Sequence, residues 1–462
     1  MEGKIMSKKG ILTVFFTLIV LVSGFNVYAQ KSKQRYEMLR LIRHEKFDLV
    51  LPGAMRDNNV DMWIHVVESG KRDPLALDLG GWFEYRAWEP IGYYIFTDRG
   101  GDRIERIILG GEDQDSLYDI IGSGQDLRKF VEERDPKVIA VNMSTWLPIA
   151  NGLSHTAYLS ITKTLGEKYT GRLVSAENVI TDFRVRRVQR EIIAFANACE
   201  IQRQIIDKAL RRIKPGITTR EEVGWWAQDL LLAQGIFPSF EAATLHLPYM
   251  PGVSHSEVSD RSETRKPGYV FQRGDYISLD MGIGYLNFGT DFKRNVYILK
   301  EGETDAPKGL KHAWDRAIKA REVIRKTLRI GLTAGESLKA IVRALETEGF
   351  VHTPSDDVSS QYRDLMNALG DSDKSGFSID FHATGNTSVG DVTVGPSIAP
   401  WRKDRAHLMV QQNYIFAFEF MVHTWVPEWG KRLSISYEDN SIVTEKGIEA
   451  LYPWHEKIII IR

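Results

Sequence analysis

Three features are scarce in this chain of 462 residues, and each scarcity excludes a class of protein. The single cysteine, Cys199, has no partner within the chain, so a large core must hold the fold without disulfides, with or without the help of metals. Lysine and arginine number 60 against 61 aspartates and glutamates, which removes the usual electrostatic reason to expect nucleic acid or an anionic membrane as partner. Beyond the first thirty residues, no segment is long and apolar enough to span a bilayer.

The first 29 residues form a segment of a different kind. Three lysines precede an apolar run of about fifteen residues, and the small residues Val27 and Ala29 follow it. This pattern predicts a signal peptide over residues 1–29, cleaved after Ala29, and an exported protein, periplasmic or extracellular, that is not inserted in the membrane after cleavage. An uncleaved anchor is the alternative, although the run is shorter than the roughly 20 residues that a spanning helix needs.

Two domains are predicted for the rest of the chain. Residues 30–185 alternate short apolar runs with charged, helix-permissive stretches, which predicts a smaller α/β domain. No cluster of His, Asp and Glu with ligand-like spacing stands out there, so we expect this domain to shape access or oligomerisation. A long amphipathic helix begins near Val185 and opens the second domain, residues 186–462.

The second domain contains two similar stretches, residues 209–237 and 327–350. Each has a helix end, then Gly-Ile-Thr or Gly-Leu-Thr, an acidic first turn, an apolar helix and a closing glycine. In the first stretch Thr219 and Glu222 have the spacing of a capping box. A duplication predicts an α+β domain of two related halves, each with helices followed by strands and with its site at their seam. The alternative is that this order of elements is simply common.

Five candidate ligands lie in strand-like stretches that follow the helices. The first half contributes Asp280 and Asp291, and the second contributes His382, Glu419 and Glu438. Strand interiors are depleted in aspartate, and a carboxylate is almost never fully buried without a partner. Four oxygen donors and one imidazole suit a pair of divalent cations such as Mn, Co, Zn or Fe. Without metal, these side chains would repel one another and lose their hydration.

The order and spacing of these five residues resemble the metallopeptidases of family M24, which include methionine aminopeptidase, prolidase, aminopeptidase P and creatinase. The stretches that carry the resemblance are "GDYISLDMG", "GTDFKRNVYIL" and "SYEDNSIVTEKGIEAL". The preceding α/β domain is similar to that of the two-domain branch, aminopeptidase P, prolidase and creatinase. The resemblance implies a pita-bread catalytic domain, with duplicated helices and a curved antiparallel sheet, and it implies a homodimer.

The resemblance also implies a role for each candidate. Asp280 would hold one metal, Asp291 and Glu438 would bridge two, and His382 and Glu419 would complete the other. Glu419 would also be the general base that takes a proton from the attacking water. The implied function is an exported hydrolase with two divalent ions, Mn favoured, that cleaves short peptides, with Xaa-Pro bonds as candidates. The alternatives are a creatinase-like hydrolase of a non-peptide C–N bond and a catalytically weak peptide-binding protein.

The stretch after the ligand histidine departs from the family pattern. His382 is followed by Ala383 where the family usually has glycine. Seven residues after His382, where the family places a second histidine, this chain has Val389. The nearby polar candidates are Asn386 and Asp391. The departures leave the predicted metal ligands intact and bear on proline specificity.

An upstream histidine is the second predicted catalytic residue. In the family this histidine acts as an acid or an oxyanion donor, and His255 is the match here, with His246 as its competitor. His255 lies about seven residues further from Asp280 than the pattern expects, with "SDRSETRKPGY" as the apparent insertion. A histidine without a role in a polar loop is the alternative.

Overall fold

The computed structural model describes residues 31–73, 75–81, 87–239, 244–249, 268–354, 360–384 and 395–462. The predicted signal peptide lies outside these ranges, so its cleavage stays a prediction. Across the described ranges, no helix combines the length and the apolar character that crossing a membrane requires.

The first part of the chain builds a six-stranded sheet with helices around it. Its helices are α1 over residues 31–49, α2 Leu51–Arg56, α3 Ala76–Leu79, α4 Leu127–Arg134, α5 His155–Thr170 and α6 Glu177–Val185. Its strands are β1 Met62–Glu68, β2 Ile91–Thr97, β3 Glu105–Leu109, β4 Ile120–Gly122, β5 Ile139–Val141 and β6 Leu173–Ser175, in the order β4-β3-β2-β1-β5-β6. The β1–β2 and β2–β3 pairs are antiparallel and the other three are parallel.

The central strand β1 explains why this sheet is covered on both faces. Successive side chains of a strand point to opposite faces. Trp63 and Val67 belong to one buried apolar cluster, whereas Ile64 and Val66 belong to another. A strand that packs on both faces reads as a nearly continuous apolar run, as β1 does. This mixed sheet with helices agrees with the predicted α/β character; the boundary at residue 185 stays a prediction.

Two helix pairs begin the two halves of the second part. The helices are α7 Gln189–Leu210, α8 Arg220–Leu232, α9 Lys308–Thr327, α10 Ala334–Thr347 and α11 Ser360–Leu369. Helix α7 packs against α8, and α9 packs against α10. Capping boxes begin α8 at Thr219 and Glu222, and α10 at Thr333 and Glu336. The matching caps support the predicted duplication.

The start of the long helix differs from the prediction. Helix α6 ends at Val185, and α7 begins only at Gln189. Arg186 and Val188 have extended backbone, and the Val188 N–H donates to Glu191 Oε2 at 3.0 Å. This bond satisfies a donor at the start of α7. Residues 186–188 separate α6 from α7, so the long helix begins later than the predicted Val185.

The strands of the second part form four sheets among the described residues. They are β7 Phe237–Pro238, β8 Thr244–Tyr249, β9 Tyr276–Met281, β10 Ile283–Tyr285, β11 Phe288–Gly289, β12 Phe292–Ile298, β13 Phe350–His352, β14 Ser375–Ile379, β15 His382–Ala383, β16 Ile415–Ala417, β17 Phe420–Val426, β18 Lys431–Tyr437, β19 Asn440–Thr444, β20 Gly447–Ala450 and β21 Ile459–Ile461. The sheet orders are β11-β10-β7, β21-β12-β9-β8, β13-β14-β17-β18 and β15-β16-β19-β20.

The two halves meet where β12 runs beside the end of β18. The Lys293 N–H donates to the Glu438 carbonyl at 3.1 Å. The Asn295 side-chain amide donates to the Ser436 carbonyl at 3.0 Å. Because these bonds join strands of different halves, they fix the seam at which the candidate ligands lie.

Candidate metal centre

All five predicted ligands come together at this seam. Each lies within a strand or directly beside one: Asp280 in β9, Asp291 before β12, His382 at the start of β15, Glu419 between β16 and β17, and Glu438 after β18. Lys293 of β12 lies among them. We call these six residues the acidic centre.

Three of the six could hold one metal ion. Asp291, His382 and Glu438 each offer a ligand atom, and these atoms lie within 4.8 Å of one another. His382 Nε2 is 3.8 Å from Asp291 Oδ2 and 3.8 Å from Glu438 Oε1. Among the residues that the structure describes, the buried atoms Asp291 Oδ1 and Glu438 Oε1 have no hydrogen-bond partner. A buried carboxylate oxygen without a donor is costly, so these oxygens fit a bound cation.

The contact of the other ring nitrogen, Nδ1, orients His382 for metal binding through Nε2. His382 Nδ1 lies 3.3 Å from the carbonyl oxygen of Ala383, which can only accept a hydrogen bond. Nδ1 therefore carries the proton in the neutral ring, and the lone pair of Nε2 faces the carboxylates. A histidine that ligates a metal usually donates its other ring N–H in this way.

Lys293 is the member of the acidic centre that the sequence analysis missed. Its Nζ lies 2.6 Å from Glu419 Oε1 and 3.2 Å from Asp280 Oδ2, and it donates to Glu438 Oε2. Lys293 follows Asp291 by two residues, and it pairs directly with Asp280 across β9 and β12. Residues two apart on a strand share a face, so the spacing itself was a signal that the lysine faces the acids.

Arg294, the next residue along β12, lies elsewhere. Its Nη1 donates to Asp439 Oδ1 at 2.8 Å, and its guanidinium lies over the Phe292 ring at 3.9 Å. Both side chains of the Arg294–Asp439 pair are buried. The alternation along β12 thus sends Lys293 to the acidic centre and Arg294 to a structural ion pair.

Two acids of the centre have pKa values that are raised. Burial and the charge of Asp280 raise the pKa of Asp291 to about 8. Burial and the charge of Asp291 raise the pKa of Glu438 well above its ordinary value. Burial disfavours a charged carboxylate, and a like charge nearby disfavours it further. The centre therefore holds more carboxylates than its own cations can compensate.

Glu419, Lys293 and His382 shift in the direction that strengthens their ion pairing. Burial opposes ionisation of Glu419, but the Lys293 charge and the His382 hydrogen bond outweigh it and lower the pKa of Glu419. Burial likewise opposes the charge of Lys293, whose pKa the charges of Asp280 and Glu419 nevertheless raise. For His382, burial is outweighed by the Glu419 hydrogen bond and the Asp291 charge, which raise its pKa. In the metal-free centre, Glu419 is consequently an ionised carboxylate paired with the Lys293 ammonium and with the imidazolium form of His382.

A second group missed by the sequence analysis borders the centre. The Asp380 N–H donates to the Glu419 carbonyl at 3.0 Å, and both carboxylate oxygens of Asp380 accept from Arg402. Burial and the charge of Glu419 raise the pKa of Asp380. Asp380 precedes His382 by two residues, so spacing was again a signal. Its bidentate partner compensates its charge.

The other candidate residues from the sequence analysis are not among the six residues of the acidic centre. His255 lies outside the described residues, as do Val389, Asn386 and Asp391. His246 lies in β8, where its backbone pairs with Ser278 of β9. The catalytic roles of His255 and Glu419 stay predictions.

Comparison with known proteins agrees with this site and fold. The sequence model of metallopeptidase family M24 matches residues 194–445, which is more than half of the chain. Methionine aminopeptidase 1 of Saccharomyces cerevisiae is 22% identical over 290 residues, or 58% of this chain and 63% of that protein. An Xaa-Pro dipeptidase of Pyrococcus horikoshii is 25% identical over 173 residues, or 37% of this chain and 45% of that protein. The chain thus spans less than two thirds of either relative.

A solved structure extends the likeness to the first part of the chain. The X-Pro aminopeptidase of Thermotoga maritima superposes with a TM-score of 0.59 at 15% identity, and the match covers 88% of this chain and all of that one. At this identity the likeness concerns the fold alone, and it confirms the predicted α+β pita-bread domain preceded by a smaller N-terminal domain. Because the family model matches more than half of the chain and includes every predicted ligand, this protein belongs to metallopeptidase family M24.

Proposed function

We propose that the protein is a divalent-metal hydrolase of short peptides. The observation that carries the proposal is the pair of buried oxygens, Asp291 Oδ1 and Glu438 Oε1, that lack a donor among the described residues beside His382 Nε2. The donor set suits a divalent cation. The relatives named above are an aminopeptidase and an Xaa-Pro dipeptidase, which supports a peptide as the substrate class.

In this proposal Asp291, His382 and Glu438 hold the ion, and Glu419 is the general base. A divalent cation supplies activation of water and polarisation of the scissile carbonyl when it is bound. The Lys293 ammonium keeps Glu419 ionised, and a base must be ionised to accept a proton. Glu419 Oε1 lies 2.6 Å from Lys293 Nζ, so the ammonium holds the carboxylate in place, and Glu419 Oε2 lies 3.4 Å from His382 Nε2, beside the proposed ion site.

The number of ions is a separate part of the hypothesis. The prediction of two ions requires a second cation at Asp280. Lys293 Nζ contacts Asp280 and also Glu419 and Glu438, which are the other acids that would face that cation. A two-ion centre therefore requires the ammonium to withdraw, because like charges repel strongly at such distances.

Other predictions from the sequence stay proposals. Mn is favoured among Mn, Co, Zn and Fe, and Xaa-Pro bonds are candidate substrates. Export rests on residues 1–29, and the intact mass of the secreted protein would test cleavage after Ala29. The homodimer rests on resemblance to the two-domain branch, and light scattering of the purified protein would test it.

Peptide turnover with and without metal tests the proposed function. Protein loaded with Mn or Co would be assayed on Xaa-Pro and non-proline di- and tripeptides. We expect cleavage that a chelator abolishes and that Glu419→Gln lowers in kcat by about 10²–10⁴-fold, the usual contribution of a general base. Glu449→Gln, on β20 of the same half, is the matched control and should retain activity.

The alternatives predict a different outcome from the same assay. Folded protein that binds metal and cleaves no peptide of the panel would contradict the proposal. It would favour the creatinase-like hydrolase or the weak peptide-binding protein.

A further inference from the structure

The side chain of Lys293 is held among three carboxylates in the way that ligands surround a cation. Its Nζ contacts Glu419 Oε1 at 2.6 Å, Asp280 Oδ2 at 3.2 Å and Glu438 Oε2. We infer that the Lys293 ammonium takes the place of the ion predicted at Asp280, so that the centre binds one divalent cation, at Asp291, His382 and Glu438. The inference deepens the proposed function, on which it rests for the presence of metal.

Glu438 shows how the centre is divided. Its Oε2 accepts from Lys293, whereas its Oε1 faces His382 Nε2 at 3.8 Å and has no hydrogen-bond partner among the described residues. The carboxylate that was predicted to bridge two metal ions therefore lies between an ammonium and the set of atoms that could hold one ion. One of its oxygens is engaged, and the other is available.

The backbone keeps Lys293 in this position. The residue lies in β12, every residue of which is buried, and the Lys293 N–H is bonded to the Glu438 carbonyl. Its side chain is only 9% exposed. Withdrawal toward solvent would leave three carboxylates without their cation and would move a long side chain out of a packed strand. The ammonium is thus a fixed part of the site.

A second ion at Asp280 would compete for the same oxygens. Of the oxygens that would face that ion, Glu419 Oε1 already accepts a hydrogen bond from Lys293, and Asp280 Oδ2 forms an ion pair with it at 3.2 Å. A divalent cation binds carboxylate oxygens at about 2.0–2.6 Å, so it and the ammonium could not both occupy this space. Among the described residues, the ion pairs of Lys293 Nζ are with Asp280, Glu419 and Glu438, and none is with Asp291.

Metal content is the measurement that separates one ion from two. Wild-type protein and Lys293→Met would be saturated with Mn²⁺, freed of unbound metal and analysed for Mn per chain by mass spectrometry. We expect one Mn per wild-type chain and two per Lys293→Met chain. Lys46→Met is the matched control, because Lys46, in the first part of the chain, is also buried and is paired with an acid, Glu191 of α7, at 3.4 Å. The Lys46→Met protein should bind one Mn per chain, like the wild type.

Further variants keep the inference testable if Lys293→Met does not fold. Lys293→Arg retains the cation and should bind one Mn, whereas Lys293→Gln should bind two. Two Mn per wild-type chain would overturn the inference and leave the proposed function intact, provided that peptide is cleaved. One Mn without peptide cleavage would leave the inference and overturn the function. No bound Mn would contradict both.

Discussion

Buried charges are arranged differently in the first part of the chain and in the acidic centre. In the first part, Arg43 Nη1 lies 2.5 Å from Asp115 Oδ2, and Arg184 Nη2 lies 2.6 Å from Asp78 Oδ2, with all four side chains at most 7% exposed. In the acidic centre four carboxylates share one lysine and one histidine. The comparison teaches that balanced pairs serve the fold, whereas an excess of one sign indicates a binding site for the missing charge.

The pair of Asp78 and Arg184 also contacts the second part of the molecule. Asp78 accepts from Arg184 of α6 at 2.6 Å and from the Asn287 side chain of the second part at 2.6 Å. The charge of Asp78 is therefore stabilised by donors that the protein itself supplies. It needs no further ligand, and its removal leaves a buried guanidinium.

The largest predicted effect comes from breaking a balanced pair. Asp78→Ala removes the carboxylate that pairs with buried Arg184 and accepts from Asn287, and we expect a loss of about 3–5 kcal/mol in the free energy of unfolding. Urea denaturation of the metal-free protein measures it. The exposed pair of Lys311 and Asp305 offers the control: Asp305→Ala should change stability by less than about 1 kcal/mol. Equal losses of stability in Asp78→Ala and Asp305→Ala would contradict the structural role assigned to the buried pair.

A mutation in the acidic centre should weaken metal binding and leave the stability of the metal-free protein unchanged. Asp291→Ala removes one carboxylate of an excess and a predicted ligand, so we expect metal affinity to fall more than about 100-fold while the metal-free fold keeps its stability. Saturating Mn²⁺ stabilises only a protein that binds it, by about 2.7 kcal/mol at a hundredfold excess over Kd. The wild type should therefore melt at a higher temperature with Mn²⁺, and Asp291→Ala should not. An unchanged metal response in the variant would contradict the ligand assignment.

The smallest effect concerns a buried acid outside both regions. Asp275 accepts from the Gln272 N–H at 2.8 Å and from the Tyr269 hydroxyl at 3.1 Å, and burial raises its pKa to about 6. The folded state therefore binds more protons than the unfolded state between about pH 4 and 6, so the free energy of unfolding falls as pH rises through that window. The contribution is on the order of 1–2 kcal/mol.

Asp275→Asn provides the check, because asparagine does not titrate. Urea denaturation at pH 4.5, 6 and 7.5 should show a smaller decline of stability with pH in the variant than in the wild type. Parallel curves for the two proteins would contradict the raised pKa. The difference in slope between the two proteins measures the free-energy cost of ionising a buried carboxylate that has no guanidinium partner.

The sequence predicted the fold class, the duplicated halves and the five residues that meet at the seam. These predictions worked because strand alternation and capping are local patterns, and because a carboxylate in an apolar run is conspicuous. The prediction placed the start of α7 too early, because the apolar pattern continues across the break at residues 186–188.

Lys293 and the Asp380–Arg402 pair were missed for a different reason. Lysine is not a metal ligand, so a search for ligand types passes over it, and its contact with Asp280 depends on the register of β9 and β12. Arg402 lies 22 residues from Asp380, and the chain must fold back to bring it there. Long-range pairing of this kind is fixed by tertiary structure and not by local pattern.

In our proposal the acidic centre binds one divalent cation beside the fixed ammonium of Lys293. Crystals of the wild-type protein grown with Mn²⁺, with anomalous scattering recorded at the Mn edge, test it most directly. We expect a single peak among Asp291, His382 and Glu438, with Lys293 Nζ still beside Asp280 and Glu419. Two peaks about 3.5–4 Å apart, the usual spacing of a two-metal site, with Lys293 turned away, would contradict it.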